Sequence, residues 1–211
     1  MKNLFFLLSL LWITLIFSGC GQQKTTEICP IDSWSFACWT TSGSIDHSDF
    51  TGAIASVLLA IKTNDLPTLS TFVGSQWLRF SPYEYVNTWS DIILSTQEVY
   101  NGLIMSRSFV WGIADGSGLP LDLWIGQYFE KFVNDADWTN APEILYNQSV
   151  QRGNTINNIA QVYSGKQWVE FHFAWFDPQY EGIDWKSLTL VFDQVDGQWY
   201  LIGIVHGQRT I

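Results

Sequence analysis

The most constraining feature of this chain is a dipeptide. Asp196-Gly197 sits between two segments, residues 187–195 and 198–206, in which apolar residues recur at alternate positions. That period is a strand's, and an Asp-Gly pair readily takes the positive φ angles of a two-residue hairpin turn. The two segments are therefore expected to pair antiparallel. A two-residue loop sets Phe192 opposite Leu201, Leu190 opposite Gly203 and Leu188 opposite Val205 on one face. The other face then carries Val191 with Ile202, Thr189 with Ile204 and Ser187 with His206. Both faces are substantially apolar, whereas a sheet needs only one such face for its core. The second must meet more protein, a partner or a ligand. Val191, Ile202 and Ile204 are thus a candidate partner interface, with a second copy of the chain or another protein as the partner.

Upstream the period changes. Phe50, Ile54, Val57, Leu58 and Ile61 fall on one helical stripe, and Asp65 is placed to cap a second helix that turns Leu69 and Phe72 inward. Leu78-Arg79-Phe80 reads as a short extended piece and Asp91–Leu94 as a candidate strand. Ser95 and Glu98 have the spacing of a capping box. Residues 108–112 are strand-like and Asp115-Gly116-Ser117-Gly118 is a turn cluster. From Pro120 onward, Leu121, Trp124, Ile125, Tyr128 and Phe132 read as a further helical stripe. After Pro142, strands are expected at roughly 143–150, 157–163 and 167–176, ahead of the hairpin. Helices first and strands afterwards predict an α+β domain over residues 47–211, with helices packed on one face of a curved, mainly antiparallel, cone-like sheet.

Bulk composition removes several classes. The chain has 211 residues, of which 47% are hydrophobic and 16% aromatic, so it is no disordered segment. Its net charge of −10 leaves no basic footprint for nucleic acid. Local signatures of serine hydrolases, phosphate-binding loops and zinc peptidases are missing, and no cofactor or metal site is expected.

The first twenty residues concern address. A basic start at Lys2, an apolar run from Leu4 to Phe17 and the small residues Ser18-Gly19 have the three parts of a secretory signal peptide. The run is short of the ~20 residues that span a bilayer. Ser18-Gly19-Cys20 resembles the lipobox of bacterial lipoproteins. The resemblance implies cleavage after residue 19, acylation of Cys20 with palmitate-type chains, and a mature protein held in the cell envelope by its lipid. Gly21, rather than Asp, points to the outer membrane if the host has two. Residues 20–46 then form a tether. Cys29 and Cys38, an even pair in an exported chain, are a candidate disulfide.

Two wider resemblances bear on the domain. Its element order, ending in a long hairpin with Trp199 just past the turn, resembles the nuclear-transport-factor-like (cystatin-type) cone fold over roughly residues 48–211. Leu78-Arg79-Phe80-Ser81-Pro82-Tyr83, Trp111-Gly112, Gly153-Asn154-Thr155 and Asp184-Trp185 resemble segments of an uncharacterised group of bacterial lipoproteins, which brings no established activity. That group is expected to end His-Asp-Gln-Trp-Thr-Ile, where this chain has His206-Gly207-Gln208-Arg209-Thr210-Ile211.

Cone folds often hold a pocket between sheet and helices. Arg79, Trp111, Tyr128 and Trp175 are its candidate ligand-binding residues. The leading expectation is a membrane-anchored module that binds a ligand or partner protein without catalysis. The alternative is an isomerase- or dehydratase-like enzyme with His172 or His206 and an acid such as Asp177, Asp184 or Asp193 moving a proton. Strand alternation sets Val169, Phe171, Phe173 and Trp175 on one face and Glu170 and His172 on the other, which turns His172 away from an aromatic core.

Overall fold

The structure, a computed structural model, describes residues 47–75 and 77–210. Cys20, Cys29 and Cys38, and with them the signal peptide and tether, lie outside the described residues. Among those described, no helix is long and apolar enough to cross a membrane.

The hairpin forms as its turn demands. Strands β7 (Lys186–Val195) and β8 (Gln198–Gln208) pair antiparallel, and Asp196 and Gly197 both take positive φ, 52° and 77°. The expected register holds only near the turn. Phe192 faces Leu201, but Val191 then faces Gly203, Leu190 faces Ile204 and Thr189 faces Val205. Ile202 is the extra residue of a β-bulge. Because side chains alternate with period two, one inserted residue exchanges the faces of everything beyond it. Ile204 therefore joins the main core with Leu190, and Val205 moves to the opposite face.

Around this hairpin runs a curved six-stranded sheet in the order β2-β1-β8-β7-β6-β5, with β1 spanning Leu78–Ser81, β2 Ile92–Leu94, β5 Glu143–Tyr146 and β6 Gln167–Phe173. All neighbours are antiparallel except β1 and β8, which run parallel. Helices α1 (Phe50–Lys62) and α2 (Leu66–Val73) bury their apolar stripes against one face. Asp49 and Asp65 cap them, each carboxylate accepting a backbone N–H of the first turn, at 2.7 Å from Gly52 and 3.0 Å from Thr68. The capping box at Ser95 and Glu98 opens α3 (Thr96–Tyr100).

Two local expectations fail. Residues 120–124 form a strand, β4 (Pro120–Trp124), paired with β3 (Ser108–Ile113) in a separate two-stranded sheet, and helix α4 begins only at Ile125. Leu121 and Leu123 serve a strand's alternation as well as a helix's stripe, and the turn at 115–118 closes the hairpin through Ala114 N–H to the Leu119 carbonyl, 2.7 Å. Short helix α4 (Ile125–Tyr128) runs into a π-turn over Phe129–Val133. Residues 157–163 are not a strand either; they hold the single helical turn α5 (Ile159–Val162), which turns Ile159 and Tyr163 onto the second face of the sheet.

The main core lies between the first face and the α1, α2, α4 and β3–β4 layer. Phe80, Trp111, Tyr128, Phe129 and Phe132 are all buried. Each large apolar side chain so buried contributes about 1.5–3 kcal/mol. The second face carries a smaller apolar cluster of Val86, Ile159, Tyr163, Trp168, Val191 and Val205, with Ile202 packed at its margin. Val191 and Ile204 are thus covered by their own chain, one on each face. The apolar second face of the hairpin is met by α5 and by the loop after β1.

Candidate functional site

The four residues expected to line one pocket do not converge. Trp111 and Tyr128 stack at 3.8 Å between ring centroids, and Phe80 meets both edge-on, so this volume is filled by side chains. The Trp111 indole N–H donates to the Leu123 carbonyl at 2.8 Å. Arg79 projects from the second face, since its neighbours Leu78 and Phe80 take the first. There it lies in the field of the Asp91 carboxylate and beside the Tyr163 hydroxyl, which approaches Gly203 so closely that a β-carbon there would stand 2.5 Å from it. Asp91 accepts from Ser81 Oγ at 2.5 Å and from the Asn87 N–H at 2.9 Å. Trp175 is in the loop after β6 and 54% exposed.

The histidines separate likewise. His206 belongs to the first face: its Nε2 lies 3.1 Å from Asp135 Oδ2, which also accepts from Lys186 at 2.7 Å. Burial pushes the Asp135 carboxyl up, but His206 and Lys186 outweigh it and hold the group below its ordinary range. His172 lies on the second face, opposite the buried Phe171, as strand alternation expects.

What gathers around His172 is a polar cluster in the wall of the sheet. Across four neighbouring strands, Glu143 on β5, His172 on β6, Ser187 on β7 and Gly207 on β8 are in register. One step along, Glu170 stands opposite Thr189. Glu84, from the loop after β1, folds over Gly207: a β-carbon at that position would collide with Ser187 Oγ and stand 3.0 Å from Glu84 Cγ. Glycine makes room for the carboxylate. Glu84, Glu170, His172, Ser187 and Thr189 are all buried, and Trp185 flanks them.

Charge enters this cluster from above. The segment 147–158 crosses the second face, and Arg152 reaches down from it. Its Nε donates to Glu170 Oε1 at 2.7 Å and its Nη2 to Glu143 Oε2 at 3.1 Å. A planar guanidinium is suited to bridging two carboxylates in this way. His172 Nε2 lies 3.8 Å from the same Glu143 oxygen.

The electrostatics follow from burial. Glu84 has Oε2 buried with no hydrogen-bond partner, and burial, reinforced by the Glu170 charge and opposed by Arg152, raises its carboxyl to about 8. It is a neutral acid at pH 7. Burial also raises Glu170, against the pull of Arg152. Burial and then the Arg152 charge press the His172 imidazolium down to about 4, against Glu143 and a backbone contact at Lys186, so the ring is neutral. The cluster thus combines a carboxylic acid, a paired carboxylate and an uncharged imidazole. It can donate and accept hydrogen bonds and carries net negative charge beside Trp185.

Sequence reasoning singled out His172 with Glu170 but missed Glu84, Glu143 and Arg152. The available signal was the strand parity that buries Glu170 and His172 together. Nothing local marks Glu84, whose place depends on a glycine 123 positions later. Among the described residues, no group of three or more His, Cys, Asp or Glu is arranged to hold a metal ion.

No protein-family model matches the chain, and no curated protein sequence does. Among solved structures, the chain is similar to a DUF4783 family protein from Bacteroides ovatus, at 11% identity over 74% of this chain and 96% of that one, with a TM-score of 0.35. At that score the likeness carries no argument about function.

Proposed function

We propose that this chain is a cell-envelope lipoprotein, anchored through Cys20, whose α+β domain binds a ligand on the second face of its sheet without transforming it. The observation that carries the binding half is the polar cluster in which buried Glu84, Glu170 and His172 meet the partly buried Arg152 and the half-exposed Glu143. Its Glu84 Oε2 has no hydrogen-bond partner among the described residues, and buried polar groups are ordinarily satisfied. The anchoring half rests on Leu4–Phe17 followed by Ser18-Gly19-Cys20.

Two measurements test the reading. Intact mass of the membrane-extracted protein is expected to show a lipid increment on a chain starting at Cys20, and Cys20→Ser to release the protein from the membrane. Recovery of an unmodified soluble wild-type chain sinks the anchor. Small-molecule fractions of the envelope are then screened by thermal shift. At least one should raise the melting temperature of the wild type and not of Glu84→Gln; no shift from any fraction rejects the binding site.

Glu84 also favours a second reading. A neutral carboxylic acid beside an ionised carboxylate is an acid–base arrangement, as an isomerase- or dehydratase-like enzyme needs. Incubating the stabilising fraction with the protein in heavy water separates the two. Deuterium entering a carbon position of the ligand only when the protein is present, or a new product mass, replaces binding with catalysis.

A further inference from the structure

The segment that covers the cluster is built unlike the rest of the fold. None of residues 147–158 is buried, and Ile156, one of its two aliphatic residues, is 67% exposed. Its ends are pinned by two asparagines. Asn147 exchanges hydrogen bonds with the Trp168 backbone at 2.9 and 3.0 Å, and Asn158 does so with Val86 at 2.8 and 3.0 Å. Between these ends, Arg152 and Thr155, the latter 2.8 Å from Thr210, are the side chains that reach across to the sheet, while Asn157 Oδ1 accepts from the Ile159 N–H at 3.1 Å and the Gln148 carbonyl accepts from the Trp168 indole at 3.3 Å. The Gly153 backbone lies against Trp185. A segment without buried apolar anchors opens at little cost.

Arg152 also fits its site incompletely. It satisfies Glu170 and Glu143 but leaves Glu84 Oε2, on a residue 4% exposed, without a partner. We propose that Arg152 is a resident stand-in for a guanidinium ligand: a small guanidinium compound displaces the Arg152 side chain, pairs with Glu170 and Glu143, and engages Glu84 as well. The strap over 147–158 then lifts between its asparagine pins. This assignment rests on the second-face site proposed above and names its ligand class. A chain of net charge −10 attracts such a cation from solution.

The test titrates the full mature chain with agmatine in one arm and with a blocked Gly-Arg-Gly tripeptide in the other, following binding by calorimetry and residues 149–156 by hydrogen exchange. Saturable binding of agmatine to the wild type is expected, with faster exchange in the strap. Arg152→Ala, free of the internal competitor, should bind at least tenfold tighter, and Glu170→Gln should lose binding. Binding of the tripeptide as well assigns the site to arginine side chains of a partner; agmatine alone assigns it to a free metabolite. Agmatine that binds Arg152→Ala but leaves the wild type unchanged at a hundredfold higher concentration overturns the proposal, since Arg152 is then a permanent structural plug. If Arg152→Ala does not fold, the wild-type titration and its strap exchange decide alone, and no response there also overturns it. A neutral or anionic envelope fraction that stabilises the wild type while agmatine fails would reject the guanidinium assignment and keep the binding site.

Discussion

The two faces of one sheet are held by opposite means. On the first, Phe80, Trp111, Tyr128 and Phe132 pack ring against ring. On the second, Val191, Val205 and Trp168 make a modest apolar floor, and beside them three glutamates, a histidine and an arginine occupy ground that apolar side chains would fill more favourably. Replacing a buried ion pair by apolar groups of like shape is often neutral or stabilising. The first face holds a polar group as well, His206 with Asp135 and Lys186, but there it is set among packed rings, whereas the second face gives much of its area to polar side chains.

Truncation should separate the faces most sharply. Trp111→Ala is expected to cost about 3–5 kcal/mol and to lower the urea midpoint steeply, because the cavity it opens is ringed by other fixed aromatics. Little change on that substitution would mean that the first face is loosely packed and the contrast drawn here is false. Arg152→Ala should come next, at about 3 kcal/mol, since it strands Glu170 inside the protein. Urea melts at pH 7 compare the two directly.

Above pH 6.5, where Asp135 on the first face stays ionised, the pH dependence tests chiefly the second face. Glu84 is raised from 4.5 to about 8 in the folded state, so the native chain holds a proton that the unfolded chain has released. Its contribution is therefore full below pH 4.5 and is lost as pH rises to about 8. His172 is lowered from 6.5 to about 4, so its contribution is full above 6.5 and is lost as pH falls to about 4. Between about 4.5 and 6.5 these two oppose each other, while Glu170 and Asp91, also raised by burial, add a fall in stability as pH rises. From 6.5 to 8 it should fall, at up to about 1.4 kcal/mol per pH unit for one proton. Glu84→Gln should flatten that fall and raise stability at pH 8. An unchanged slope in the variant would show that Glu84 is solvated.

The smallest expected effect concerns the bulge. Ile202→Glu should cost about 1 kcal/mol, because the side chain sits at the margin of the second cluster. Val191→Glu, directly opposite Ile202 in the expected register but fully buried in the structure, should prevent folding under the same conditions. Equal losses from the two would place Ile202 inside the cluster and redraw its edge.

How legible this molecule was depends on the range of the interactions. Helix α1, the caps at Asp65 and Ser95 and the turn at Asp196-Gly197 are decided within a few residues, and each was readable. Pro120–Trp124 was misread because a strand beginning after a glycine-rich turn and a helix with proline in its first turn share the same apolar positions. The candidate pocket failed because Trp111 and Tyr128 are equally good as pocket walls and as core, and only packing chooses. The interface failed at Ile202: no local pattern announces a bulge, yet it alone reassigns Ile204. Glu84 and Arg152 were invisible for a further reason, since they approach the site from loops whose paths are set by Gly207, Asn147 and Asn158.

The position of β8 has a consequence for timing. It stands third in the sheet order but last among the described strands, and it alone joins the β1–β2 ribbon to the β5–β6–β7 ribbon. Any shorter prefix of the chain holds two half-sheets with no common strand, each exposing an unpaired edge. Synthesis therefore proceeds almost to residue 208 before the sheet can close, and closure then joins partners more than 120 residues apart, Phe80 to Ile204. Such a chain is expected to fold late and slowly. Its two half-sheets stay apart for as long as the C-terminal strand is withheld, so removing or delaying that one strand leaves the fold open along its whole middle.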